Sequence, residues 1–245
     1  MHRFFVPKER ILDNSISFNE AQLHQIKNVL RLKSGEILEI FDNNLGVYVA
    51  RIYYESKGLK AEIMSRHSAQ TQKFEINVFQ SIIKMGKMEL VVDKLTEIGI
   101  NSFTPIITAR TQGKDIKAFT QKKLDRLQKI CTESAEQSGK VLVPKIRSIM
   151  KFKDLLNAHP SQCVCLFYEK NEGTVNLQDI NFKENSEVSV IIGPVGGFSE
   201  EEISLAKDRG VRSVHLGSSI FKADTASIIS VSLIRYFVKE IFNSN

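Results

Sequence analysis

The chain has 245 residues, enough for one large domain or two modest ones. At 42% hydrophobic and 25% charged residues, with no apolar run near the roughly 18 residues that cross a bilayer, it reads as a soluble globular protein rather than a membrane or disordered one. Lys and Arg outnumber Asp and Glu 34 to 28, and the surplus lies in residues 73–151, where 15 basic residues stand against 8 acidic ones; this suits either a phosphate-bearing partner or a solvated helix face. The N-terminal MHRFFVPKER has no apolar signal-peptide core. Cys131, Cys163 and Cys165 form no C-x-x-C pair, so reduced thiols in a cytoplasm are the simplest account. The five histidines are scattered and offer no metal site.

Residues 1–72 read as a small β-rich domain. Residues 3–6 form a short strand, and Asn19 caps a helix to about Leu30 with Leu23, Ile26, Val29 and Leu30 on its apolar side. His24, beside those residues, reads as a packed histidine. Residues 37–41 and 47–53 flank the turn Asp42-Asn43-Asn44-Leu45-Gly46, a hairpin pattern. Residues 59–66 are another strand, and 68–73 a polar linker. No internal repeat or low-complexity segment is present.

The second domain, 73–245, opens with a strand through Phe74, Ile76, Val78 and Phe79, broken at Lys84-Met85-Gly86-Lys87. Helical spacing over 88–98, ended by Gly99, and a strand over 103–108 complete a β-α-β unit, so parallel pairing is expected. Residues 114–140 form a basic helical stretch whose apolar face is Leu124, Leu127, Ile130 and Cys131. A short helix over 152–157 precedes a strand over 164–168, where Cys163 and Cys165 are core cysteines, and 171–186 is a polar loop.

Two strand ends then empty into glycine-bearing loops. The strand 187–192 runs into Gly193-Pro194-Val195-Gly196-Gly197, followed by a Ser199/Glu202 capping box and a helix that Gly210 ends. The strand 211–216 runs into Gly217-Ser218-Ser219, and a long helix follows from about Asp224. Ile228, Ile229, Val231, Leu233, Ile234, Phe237, Val238 and Ile241 make that helix apolar on more than one side, as burial against both the sheet and something else, such as a second subunit, would require. In open parallel sheets ligands sit at such strand ends, although glycines also serve merely as tight turns.

These segments resemble the RsmE family, SPOUT-class methyltransferases acting on N3 of a uridine in 16S ribosomal RNA. Gly193 to Ser199 is similar to that family's G-P-E-G-G-F-S, and Leu216 to Ala226 to its L-G-x-R-I-L-R-x-E-T-A. Lys84, Gly86, Lys87, Met88, Glu89, Lys94, Thr96, Glu97 and Gly99 match its K-G-x-x-M-E…K-x-T-E-L-G-V run, Thr108 to Thr111 its T-E-R-S, and Glu133 to Lys140 its E-A-x-E-Q-S-x-R. Arg3-Phe4-Phe5-Val6, His24 and Val29-Leu30-Arg31 match its N-terminal pattern.

The resemblance implies an α/β fold: a SPOUT-type parallel sheet with a deep trefoil knot over 73–245, plus a PUA-like RNA-binding β-barrel over 1–72. It implies S-adenosyl-L-methionine as cofactor, held by Ile192, Gly193, Gly196, Gly197, Leu216, Gly217 and Ile220. It implies methylation of the assembled small subunit by a cytoplasmic homodimer, without metal or membrane. Arg110 and Lys222 are candidates to stabilise the uracil anion and Asp224 to take the N3 proton or orient the cofactor. Arg3 and Arg31, as exposed arginines, and Lys84, Lys87 and Gln137 are candidate RNA contacts; Glu136 is a candidate, with Gln137, to orient the base. The sequence departs from the family at Ala109 and Val195 (usually Glu), Ser219 and Lys222 (usually Arg) and Asp224 (usually Glu). Two rivals stand beside this reading. One is a non-catalytic small-subunit RNA-binding relative that has lost turnover. The other is a nucleotide-binding protein, weakened by the absence of a G-x-x-x-x-G-K-[ST] pattern and by Glu200–Glu202 behind the loop.

Overall fold

The computed structural model describes residues 1–56, 58–69, 74–158, 163–170, 173–182 and 186–243, with side chains through 238. Contacts divide the chain into two compact units, residues 1–71 with 135–143, and residues 72–134 with 144–245.

The first unit is built on alternation. Its strands are β1 (His2–Phe5), β2 (Ile11–Leu12), β3 (Ser15–Ser17), β4 (Ile37–Phe41), β5 (Gly46–Glu55) and β6 (Gly58–Ser68), with α1 (Glu20–His24) between β3 and β4. They form one six-stranded sheet ordered β1-β4-β5-β6-β3-β2, parallel only at β1–β4. Phe4, Val6, Leu38, Ile40, Ala50, Ile52, Ala61 and Ile63 fall at every second position and supply the core, joined by Ile16, Ile26 and Leu59. The expected hairpin is present. Asp42 Oδ1 accepts from Asn44 N–H and Gly46 N–H, each at 2.8 Å, which lets Asn43 and Leu45 take positive φ of 60° and 66°.

Asn19 caps α1 through a complete capping box with Gln22. Beyond His24 the chain tightens differently from expectation: Gln25–Val29 is a π turn, closed by Leu30 N–H donating to Gln25 O at 2.9 Å. The extra residue in that turn breaks the 3.6-residue period, so Ile26 is buried whereas Val29 is 63% exposed. His24 is exposed too, which corrects its reading as a packed residue. Of the expected linker 68–73, residues 70–73 lie outside the described residues.

In the second unit β7 (Glu75–Ser81), α2 (Met85–Ile98) and β8 (Ser102–Ile107) form the expected β-α-β unit with parallel pairing, and Gly99 closes α2 at φ 102°. The chain continues through α3 (Gly113–Ala118), α4 (Gln121–Ser138), β9 (Lys145–Ile146), β10 (Met150–Lys151), α5 (Phe152–Ala158), β11 (Val164–Phe167), β12 (Val175–Asn176), β13 (Glu187–Ile192), α6 (Glu200–Asp208), β14 (Arg212–His215) and α7 (Ala223–Asn243). Every pairing in its sheet, ordered β10-β8-β7-β13-β11-β14-β12 with β9 beside β8, is parallel. The central strands are buried along nearly their whole length, as strands covered on both faces are.

The stretch 171–186 is more than a loop: it holds β12 and a 3-10 turn (Leu177–Asp179), because Leu177, Ile180 and Phe182 are buried; residues 171–172 and 183–185 lie outside the described residues. All three cysteines are buried, and burial pushes the Cys131 thiol up to about 12. Along α7, Val231, Ile234 and Val238 are buried, while Leu233 and Tyr236 are 37% and 58% exposed; the side chain of Ile241 lies outside the described set.

Candidate active site

Sheet order decides where a ligand can sit. β13, β11 and β14 are neighbours and parallel, so their carboxyl ends open side by side. The loops leaving them, at 168–169, 193–197 and 216–220, border one cavity of about 550 Å³. All seven residues expected to hold a cofactor line it: Ile192, Gly193, Gly196, Gly197, Leu216, Gly217 and Ile220. Lys87, Glu169, Val195, Phe198, Ser219 and Lys222 also border it.

A Cβ on Gly193 would come within 2.9 Å of the Phe198 ring, which is buried and packs on Phe152 at 5.4 Å. Gly197 has φ 68°, and a Cβ there would meet Glu169 Oε1 at 2.6 Å. Gly217 has φ 85°, and its N–H donates to His215 Nδ1 at 3.1 Å. The loop backbone is thus bare where the cavity needs it. Gly196 differs: a Cβ would make ordinary contact with Arg110 Cβ at 3.5 Å.

Behind the loop lies a buried polar set that the sequence reading missed. Gln80, at the end of β7, donates through Nε2 to Ser81 O at 3.0 Å and to Gly193 O at 3.4 Å. Ser227 of α7 donates to Gln80 Oε1. Gln80 and Ser227 are fully buried, so these bonds tie the glycine loop to the sheet and the last helix. A glutamine within the apolar run 76–83 was the available signal.

Arg110 follows β8 on a turn fixed by Ser81, Thr108 and Thr111, whose hydroxyl oxygens lie 2.8–3.0 Å apart. Its Nη1 donates to Gly196 O at 2.9 Å and its side chain is otherwise exposed. The backbone N–H of Ala109 donates to Glu202 Oε1 at 2.8 Å, while the same carboxylate accepts from Ser199 N–H in the capping box. One helix cap therefore also holds the Arg110 turn.

Lys87 and Asp224, expected in separate roles, form an ion pair at 2.8 Å. Burial pushes the Asp224 carboxyl up, but hydrogen bonds from Lys87 and the backbone, with the charges of Lys87 and Lys222, hold it below the usual aspartate value. Lys84 is the exposed N-cap of α2.

In the first unit Arg3 is corrected. Its side chain is 11% exposed, and its guanidinium is consumed by Glu39 at 2.5 Å, Lys140 O at 2.7 Å and the Phe41 ring at 4.6 Å. It is a packing arginine, not an exposed phosphate contact. Glu136 likewise accepts from Phe5 N–H at 2.9 Å, while Gln137 is exposed. Arg31 is exposed at φ 54° beside Lys27 and Lys33. Among the described residues no cluster of three or more His, Cys, Asp or Glu could hold a metal, and no helix is long and apolar enough to cross a membrane.

A parallel α/β sheet with glycine loops and a cavity at three adjacent strand ends defines the class of protein: an α/β domain that takes a ligand at its strand ends, carried with a second, mostly antiparallel unit. Comparison with known proteins gives the family. Residues 70–235 match the RNA methyltransferase domain and residues 18–63 the RNA methyltransferase PUA domain. The chain belongs to the family of ribosomal RNA small subunit methyltransferase E. It is 31% identical to that enzyme of Mesomycoplasma hyopneumoniae, over 93% of this chain and 96% of the relative. It is 30% identical to ribosomal RNA small subunit methyltransferase E 2 of Borreliella burgdorferi, over 98% and 99%. Among solved structures, a Legionella pneumophila methyltransferase with bound cofactor SAM aligns at TM-score 0.85 and 28% identity, covering 96% of this chain and 97% of that one.

Proposed function

We propose that this chain transfers a methyl group from S-adenosylmethionine to N3 of a uridine in the 16S RNA of the small ribosomal subunit. The observation that carries the reading is the cavity at the ends of β11, β13 and β14: bare glycine backbone after β13 and β14, with Lys87, Lys222 and Glu169 on its wall. The residues fit the cofactor. The volume suits a nucleoside-sized ligand. Backbone of 193–197 and 216–220 borders the cavity where a flat polar base would lie, and Ile192, Leu216 and Ile220 offer apolar contact.

When bound, S-adenosylmethionine supplies an activated methyl group on a good leaving group. The chain's own work is to hold the acceptor nitrogen in line and to ease loss of its proton. Lys222, bordering the cavity with no ion pair among the described residues, and Arg110, exposed beyond its one bond to Gly196 O, supply positive charge for an oxyanion on the base. Asp224 is a weak proton acceptor at neutral pH because its pairing with Lys87 favours the carboxylate; its role is to fix Lys87 beside the cavity.

Around this centre the reading takes the loops as a trefoil knot, 1–72 as an RNA-engaging PUA-like domain and 73–245 as the methyltransferase domain. It takes the enzyme as a cytoplasmic homodimer, a view supported by exposed Leu233 and Tyr236 on α7. Arg31, Lys84 and Gln137 are its RNA contacts, each exposed. The departures Val195 and Ser219 border the same cavity, so they bear on cofactor affinity before RNA affinity. The test is transfer of labelled methyl from S-adenosylmethionine to small subunits lacking the modification. Incorporation into 16S RNA is expected. Subunit binding without incorporation would turn the reading to a non-catalytic relative.

A further inference from the structure

The cavity wall leaves one carboxylate without a partner among the described residues. Glu169 stands two positions beyond β11, exposed, with its carboxylate against the bare backbone of Gly197. No hydrogen bond or ion pair joins it to another described residue. It is the one acidic side chain among the described residues bordering the cavity. Of the two lysines there, Lys87 is neutralised by Asp224 at 2.8 Å, and Lys222 has no ion pair among the described residues. The glycine loop contributes no acidic group of its own, since Val195 projects there instead, 71% exposed.

We propose that Glu169 is the residue that recognises donor groups of the cofactor, accepting charge-assisted hydrogen bonds that the surrounding apolar and backbone wall cannot offer. The assignment rests on the reading that this cavity takes S-adenosylmethionine. Two parts of that molecule carry suitable donors: the ribose hydroxyls and the α-ammonium group. Gly197 is part of the same device, because any side chain there would occupy the space of the carboxylate.

The experiment is calorimetric titration of the full chain with S-adenosylmethionine and with 5′-methylthioadenosine, which keeps the ribose hydroxyls and lacks the ammonium. Wild type, Glu169→Ala and the isosteric Glu169→Gln are compared, with unfolding midpoints measured alongside. Loss of the carboxylate is expected to weaken S-adenosylmethionine by about tenfold or more. A parallel loss for 5′-methylthioadenosine assigns the donors to the ribose; an unchanged value for it assigns them to the ammonium. A Kd for S-adenosylmethionine within about twofold of wild type in both variants overturns the assignment. If the alanine variant melts early, the glutamine variant decides. Failure of wild type to bind either ligand overturns the underlying reading of the cavity, a result separable from any effect at 169.

Discussion

Adjacent residues of the glycine loop differ in what they tolerate. Gly197 combines φ 68° with a space already filled by Glu169, whereas Gly196 has room for a methyl against Arg110. Gly197→Ala is therefore expected to destabilise the protein by roughly 1–2 kcal/mol in denaturant unfolding, and Gly196→Ala by less than about 0.5 kcal/mol. Equal effects would contradict the loop geometry. Gln80→Leu strands the Gly193 carbonyl in the core, while the Ser227 hydroxyl keeps Ala223 O at 2.8 Å; the expected cost is about 1–3 kcal/mol by the same measurement. The Lys87–Asp224 pair sets a pH signature. The folded Asp224 titrates below its usual 3.8, so its contribution is complete above that value and is lost as pH falls through the lower folded value. The stability gap between wild type and Asp224→Asn is expected to be flat near neutrality and to close only in acid. A gap that grew on acidification would contradict the assigned sign. The glycines were legible as residues because composition and position mark them. Glu169 and Gln80 were not, since their roles arise from strands that meet only in the folded sheet. Arg3 was misjudged for the same reason: its partners Glu39 and Lys140 are distant in sequence.

At the scale of elements, local signals carried most of the fold. The capping boxes at Asn19 and Ser199, the turn at 42–46 and the stop at Gly99 all form as their residue types require. Ser199→Ala is expected to cost about 1 kcal/mol through loss of the cap on α6. Because Glu202 also holds the Ala109 N–H, the substitution reaches the Arg110 turn, and a lowered methylation rate is expected alongside the stability loss. What periodicity missed has a physical cause in each case. The π turn after α1 adds a residue to the helical repeat and turns Val29 outward. The stretch 171–186 folds on a few buried apolar residues spaced too sparsely to signal a strand.

For the whole molecule, the order of the second sheet matters most. It places β13 between β7 and β11, so chain segments far apart in sequence bring their loops to one cavity. No sequence periodicity encodes that order; the loops were legible as a pair of glycine-bearing strand ends, and their union with the loop after β11 was not. The excess of basic residues in 73–151 fits a phosphate-rich substrate, with affinity that falls as salt rises. The most direct measurement is the identity of the modified nucleoside. Small subunits lacking the modification are incubated with the protein and labelled S-adenosylmethionine, and the digested 16S RNA is resolved by mass spectrometry. The expected result is N3-methyluridine, formed by wild type and lost in Gly197→Val. A methyl group on ribose or on another base, or turnover undiminished in that variant, would contradict the assignment of this cavity and its chemistry.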